Sequence, residues 1–356
     1  MKKRLSLLVF SALAVCALLV VMPGCTGPEG PTGENGAAGL DGTDGTDGVD
    51  ANSFCIECHT MDNKNTVKAQ FAMSSHGIGN YAGYAGGRSD CAKCHSYQGA
   101  METMMTGMDT TATSIAIPVA FKCDNCHDFH GSLDEADFPD YALRGGEPVS
   151  LISDGHMSEI DLAGSGNACA ECHQTRRVTE PYNGDSVNIS STHWGGHHGP
   201  QGNVLAGVGA FEPEGSMTIG NTAHTSMTGC SDCHMNKEGG TDVGGHNFSM
   251  TSDTDVENIA ACTACHASAT SFDVANIQSD IHSLLDDLHG LLVEHGLYSE
   301  EGIHDGGHPV TGMYPANKAG AVFNYILFEE DRSLGVHNPK YVKAVLTNTV
   351  EMVEAW

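Results

Sequence analysis

The pentapeptide Cys-x-x-Cys-His occurs six times in this 356-residue chain. The copies are Cys55, Cys58 and His59; Cys91, Cys94 and His95; Cys123, Cys126 and His127; Cys169, Cys172 and His173; Cys230, Cys233 and His234; and Cys262, Cys265 and His266. Each has what c-type haem attachment requires: two thiols that add across the vinyl groups of one porphyrin, and an adjacent imidazole that becomes the proximal iron ligand. Chance would supply on the order of 0.03 such pentapeptides at these Cys and His frequencies. Structural zinc also uses Cys-x-x-Cys half-sites, but here every half-site is followed directly by His and none forms an obvious pair. A thioredoxin-like redox motif would occur once beside a βαβ pattern, and no such pattern is present. The chain is therefore expected to fold around six haem c groups.

Two of the fourteen cysteines lie outside the motifs. Cys16 sits in the apolar run of residues 7–21, behind Lys2, Lys3 and Arg4, the layout of a secretory signal. The run ends in Met22-Pro23-Gly24-Cys25, which resembles a bacterial lipobox. Residues 1–24 thus read as a lipoprotein-type signal peptide and Cys25 as the lipidated residue, with ordinary cleavage nearby as the alternative. Either way no cysteine is left for a disulfide, although the compartment permits one. Haem c attachment takes place outside the bacterial cytoplasm, so signal and motifs agree on an exported protein, at the outer membrane, the cell surface or in the periplasm. Loss of residues 1–24 removes three cations and no anion, which deepens the formal net charge from −29 to −32. Nucleic acid and anionic lipid headgroups are poor partners for such a chain, and the membrane is met through the lipid anchor only. Basic redox proteins, metal cations and metal oxide surfaces suit the charge.

Residues 25–50 carry eight Gly-X-Y triplets, from Gly27-Pro28-Glu29 to Gly48-Val49-Asp50. With Pro28 and Pro31 as its only imino acids the tract is short for a collagen triple helix. It reads as a spacer reaching about 70 Å as polyproline II or about 27 Å as a flexible coil. Residues 51–272 then form a hexahaem-binding domain, and residues 273–356 a helical segment that packs on it. Aromatic residues make up 6% of the chain and 44 residues are glycine, too little apolar bulk for an ordinary core of this size. The expected class is mainly α with long loops and little sheet, stacked haems as the core, and a C-terminal helical hairpin. Val274, Ile277, Ile281, Leu284, Leu285, Leu288 and Leu292 recur with helical period, predicting a helix over 273–297. A second helix is predicted over 316–330. A third opens at Asn338-Pro339, with Asn as N-cap and Pro at the first helical position.

Low-spin c-type iron takes a second axial ligand. Fourteen histidines lie outside the motifs, a surplus that favours bis-histidine over His/Met ligation and hence low potentials. His130, three residues after His127, cannot reach the far face of its own haem but can serve a stacked neighbour. His76 is the one free histidine before His130, and one of His197 and His198 serves a further iron. His156, His304 and His308 read as solvated loop residues. His282, His289 and His295 read as packing or surface residues. Asp124, Asp128 and Glu171 could take calcium near a haem, although nothing in their spacing demands it.

The run Thr192-His193-Trp194-Gly195-Gly196-His197-His198-Gly199-Pro200-Gln201, then His224-Thr225 ahead of Cys230-Ser231-Asp232-Cys233-His234-Met235, then Gly244-Gly245-His246-Asn247-Phe248, resembles exported multihaem c-type cytochromes related to pentahaem nitrite reductase. Similar sequences include the extracellular cytochrome filaments of metal-reducing bacteria and archaea. The segment from Asp331-Arg332-Ser333 to Val336-His337-Asn338-Pro339 is similar to the one that returns a distal histidine in that superfamily. The resemblance covers about residues 120–356. It implies a multihaem cytochrome c fold and makes His224, His246 and His337 distal ligands. The first two motifs, with His76, look like an added N-terminal extension. One departure matters: those reductases replace the proximal histidine of the catalytic haem by lysine, and no Cys-x-x-Cys-Lys occurs here. No catalytic residue is assigned.

The function expected is extracytoplasmic electron transfer through six mostly bis-histidine haems, with assembly into a homopolymeric filament as a sharper version. The alternative is a reductase of a small nitrogen or sulfur compound with one open haem. A structural or adhesive surface lipoprotein is a third class, suggested by the Gly-X-Y tract.

Overall fold

Apolar side chains concentrate towards the C-terminus, and regular structure follows them. The computed structural model describes residues 60–128, 142–176, 186–236 and 243–356, within a unit spanning Asp50–Trp356. The signal, Cys25 and the Gly-X-Y tract lie outside the described residues. So do the first motif, made of Cys55, Cys58 and His59, and the expected distal ligand His130. Helices of ten or more residues among those described are α1 (Met61–Met73), α2 (Tyr97–Thr106), α3 (Ile277–Glu294), α4 (Ala316–Asp331) and α5 (Pro339–Glu354). Two small antiparallel sheets accompany them. One pairs β1 (Val149–Ser150) with β2 (Glu159–Ile160), and the other pairs β3 (Ser186–Ile189) with β4 (Gly312–Pro315) in the register Val187 to Tyr314. The fold is mainly α with long loops and little sheet, as expected.

The three C-terminal helices pack on one another. Ile281, Leu285, Leu288 and Leu292 form one stripe of α3, each at most 1% exposed, the spacing that puts side chains on a single helix face. They meet Val322, Phe323, Ile326 and Leu327 of α4 and Tyr341, Val342, Val345 and Leu346 of α5. Ile189 of β3, Val204 and the half-buried Trp194 join the same cluster, so the C-terminal helices are continuous with the middle of the chain. Each fully buried aliphatic side chain here contributes about 1.5–3 kcal/mol.

Loops dominate elsewhere, and buried asparagines hold them. Asn324 of α4 accepts from Phe211 N at 2.8 Å and donates to Phe211 O at 2.7 Å. Asn348 of α5 accepts from Met217 N at 2.9 Å and donates to Met217 O at 3.0 Å. Asn338 donates to Leu205 O at 3.2 Å and accepts from Thr222 N at 3.2 Å. Three amides thus satisfy loop backbone that has no ladder of its own, as buried peptide groups require. Asn338 does stand at the N-cap position of α5, but its side chain makes no capping bond; the loop takes it instead. Pro339 occupies the first helical position as predicted.

Candidate haem-binding sites

Every described motif lies on or runs directly out of a single turn of helix: Ala92–His95, Cys123–Cys126, Gly166–Ala170, Cys230–His234 and Ala260–Thr263. In three of them the histidine N–H donates to the carbonyl of the first cysteine: His127 to Cys123 at 3.0 Å, His173 to Cys169 at 2.9 Å and His266 to Cys262 at 2.7 Å. Residues i, i+3 and i+4 of a helical turn share a face. The motif spacing therefore gathers two sulfurs and an imidazole on one side of the backbone. In the sixth motif the second cysteine, Cys265, falls just past the end of its helix at Thr263. Its N–H still donates to Cys262 O at 3.1 Å, so the turn carries on and Cys265 stays beside Cys262 and His266. Cys265 is exposed while Cys262 is half-buried, which puts this motif at the surface. The described motif cysteines are free thiols, standing where thioether sulfurs would be.

Each described motif histidine faces a second imidazole. Ring centres are 6.2 Å apart for His95 and His197, 6.1 Å for His127 and His246, and 6.0 Å for His173 and His76. They are 6.3 Å apart for His234 and His337, and 6.1 Å for His266 and His224. A metal–imidazole bond of about 2.0 Å, extended by about 1.1 Å from nitrogen to ring centre, places two rings about 6.2 Å apart across one ion. The donor set and its spacing fit a haem iron between the members of each pair.

Burial tunes these rings. It pushes His76 and His197 down to about 4, helped by His173 in the first case and Arg176 in the second. His95, His173 and His234 are also lowered, chiefly by burial. Such rings are neutral at pH 7, the form that ligates a metal. Several have their other nitrogen fixed. Nδ1–H of His224 donates to Val336 O at 2.8 Å, that of His234 to Phe248 O at 2.9 Å, and that of His173 to Gln201 Oε1 at 3.1 Å. This leaves Nε2 of each for a metal. His76 is flanked edge-on by Phe121 and Phe248, at 5.7 and 5.3 Å.

Of the pair left open by sequence, His197 is the residue that faces His95. His198 is 74% exposed and pairs with Glu330 at 2.7 Å. The backbone of His197 is left-handed (φ 69°), between Gly195 (φ 144°) and Gly199 (φ 104°). A Cβ on Gly195 would sit 2.8 Å from Ile326 Cγ2 of α4, so glycine lets this loop lie against the helix. The N-terminal segment is no appendage either. His76 faces the fourth motif, His197 faces the second, and Gln70 of α1 accepts from His246 N at 3.2 Å.

Six further histidines have other engagements. His156 pairs with Asp109 at 2.6 Å, His282 with Asp286 at 3.0 Å and His304 with Glu329 at 3.2 Å. His289 stacks on Tyr325, His295 meets Trp356 edge-on, and His308 lies against Pro309 O. The carboxylates considered for calcium do not converge. Asp124 accepts from Tyr97, Asp128 pairs with Arg144 and Glu171 with Lys93.

Neighbouring sites touch. Cys172 Sγ meets Lys93 O inside the second motif at 3.8 Å, and Cys230 Sγ meets Gly166 O on the helical turn of the fourth at 4.0 Å, so the fourth motif meets the second and the fifth. Phe248 packs on both His76 and His246, which brings the third site beside the fourth. Val336, whose carbonyl holds His224, precedes His337 and so brings the sixth site beside the fifth. Asp331, Gln201 and Phe248 stand in the runs quoted from sequence but received no role there, because an Nδ1 partner has no spacing rule relative to its histidine.

No family model matches this chain, and no curated protein matches it. Among solved structures it is similar to the crystal structure of the outer cell wall cytochrome OcwA, with a TM-score of 0.50 and 17% identity. The likeness is one of fold. It covers 81% of this chain and 50% of that one, so the chain spans about half the length of the cytochrome it matches. Among the described residues no helix is long and apolar enough to cross a membrane.

Proposed function

We propose that this chain is an exported electron carrier that holds six c-type, bis-histidine haems outside the cytoplasm. The observation that carries the reading is the set of five imidazole pairs spaced 6.0 to 6.3 Å apart. Haem supplies one-electron chemistry when bound, and the chain sets where that chemistry lies and at what potential. In each described site a motif histidine and a distant histidine would hold the group between them, leaving no open position for a substrate. The contacts between sites order them as second, fourth, fifth and sixth, with the third beside the fourth. The first motif supplies the remaining haem on the same chemistry, with Cys55 and Cys58 as thioether residues and His59 as proximal ligand, and His130 is a candidate for a distal ligand.

The kinship with pentahaem nitrite reductase is part of this proposal, supported by His224, His246 and His337 each facing a motif histidine. Extracellular electron transfer is the setting we favour, given the fold shared with an outer cell wall cytochrome and the acidity of the chain. The acceptors would be basic redox proteins or metal oxides, and the chain would be tethered through Cys25 and able to polymerise.

The test is haem stoichiometry with electron paramagnetic resonance of the oxidised protein. Six haems per chain with low-spin ferric signals are expected. A high-spin ferric signal that shifts with nitrite or cyanide overturns the pure carrier and favours the reductase alternative.

A further inference from the structure

The last turn of α4 ends in Glu329, Glu330 and Asp331 and contains no basic residue. Carboxylates at a helix C-terminus face the negative end of the macrodipole, and burial adds a further cost. Each nevertheless meets a histidine: Glu329 meets His304, Glu330 meets His198 and Asp331 meets His337. The third differs from the others because His337 faces His234 across the fifth site. Asp331 Oδ1 lies 2.7 Å from His337 Nδ1, and its side chain is 1% exposed. The Ser333 hydroxyl donates to its other oxygen, and the backbone N–H of His337 donates to Ser333 Oγ at 3.3 Å.

The other Nδ1 partners described above, Val336 O, Phe248 O and Gln201 Oε1, are neutral. A carboxylate differs in kind. It draws the Nδ1 proton towards itself, makes the ring a stronger donor through Nε2, and adds a negative charge that burial leaves little screened. Both effects favour the oxidised over the reduced iron. Gln201 extends the arrangement: its amide donates to the carbonyls of Glu330 and Asp331 at 3.2 and 3.3 Å, while its oxygen holds His173 of the fourth site.

We propose that Asp331 is a positioning residue that acts through His337 to hold the haem of Cys230 and Cys233 at a more negative potential than a neutral partner would. This rests on the electron-carrier reading. It assigns that midway site a potential set by one buried charge.

The experiment is a spectroelectrochemical titration of the haem-loaded protein at fixed pH, with haem content measured on the same samples. In Asp331→Asn one redox transition moves to more positive potential while the others hold, and haem content and the low-spin spectrum are retained. Asp331→Glu moves that transition back towards wild type. Ser333→Ala, which leaves the carboxylate to His337 alone, moves the same transition in the negative direction. Full haem content with no moved transition in Asp331→Asn, or a shift of the same sign in Asp331→Asn and Ser333→Ala, overturns the proposal. Should Asp331→Asn fail to load haem, Ser333→Ala decides: a negative shift supports the proposal and an unmoved titration overturns it. A wild-type Cys230–Cys233 peptide that carries no haem mass means instead that the electron-carrier reading has failed.

Discussion

The two adjacent histidines, His197 and His198, show how little residue type decides at this scale. Their composition is identical, and the turn between Gly195 and Gly199 separates them. One ring goes inward to His95 and the other out to Glu330. The inward ring is held near a pKa of about 4 by burial and Arg176. The outward ring is raised above its ordinary value by its hydrogen bond to Glu330. On the proposed reading, His197→Ala converts one haem from low-spin to high-spin, seen as a new high-spin ferric resonance. His198→Ala leaves every haem low-spin and lowers stability modestly, because Glu330 loses its partner. A low-spin spectrum in His197→Ala together with a high-spin signal in His198→Ala would reverse the assignment. The motif residues were legible as chemistry because their spacing is that of one helical turn. The facing histidines lie as far as 119 positions away, for His127 and His246, and no local rule connects them.

Among the elements, helices were legible wherever an apolar stripe recurs. The expected helix over 273–297 is α3, Ile277–Glu294, preceded by a short 3-10 turn over Val274–Asn276. The second runs one residue beyond its expected end, to Asp331, and the third opens at Pro339. The loops were legible only as loops. Asn338 was expected only as an N-cap, and nothing singled out Asn324 or Asn348, yet all three are buried at 0 to 1% exposure and bind backbone far away in sequence. Two variants separate the contributions. Leu288→Ala, in the stripe of α3, should cost about 2–5 kcal/mol. Asn324→Ala, which removes the two hydrogen bonds between its amide and the Phe211 backbone, should cost about 1–3 kcal/mol. Denaturant unfolding of the haem-loaded protein measures both. An Asn324→Ala variant as stable as wild type would show that water replaces the bracket without loss.

For the whole molecule the order of motifs along the chain differs from their order in space. The fourth motif touches the second where Cys172 meets Lys93 O, and the fifth where Cys230 meets Gly166 O. The third lies beside the fourth through Phe248. Histidines reach across distant segments: α1 leads to His76, which faces His173 of the fourth motif, and the middle loop brings His197 back to face His95 of the second. A chain assembled this way cannot lose one part without opening another. It also gives the proposed relay a branch point at the fourth site, with consequences that differ from those of a linear wire. Replacing Cys169 and Cys172 by alanine removes the group that joins the second site to the fifth, so electrons entering at either end should stop there. Replacing Cys123 and Cys126 removes a side branch and should leave transfer between the second and sixth sites in place. Protein-film voltammetry at a series of scan rates, on samples whose haem content is one below wild type, reads the difference. The first variant should lose most of its fast-reducing haem population, and the second should lose only the one haem removed. Equal losses in the two would argue for a linear path in which the third site is an obligatory step, and against the branched order that the cysteine contacts support.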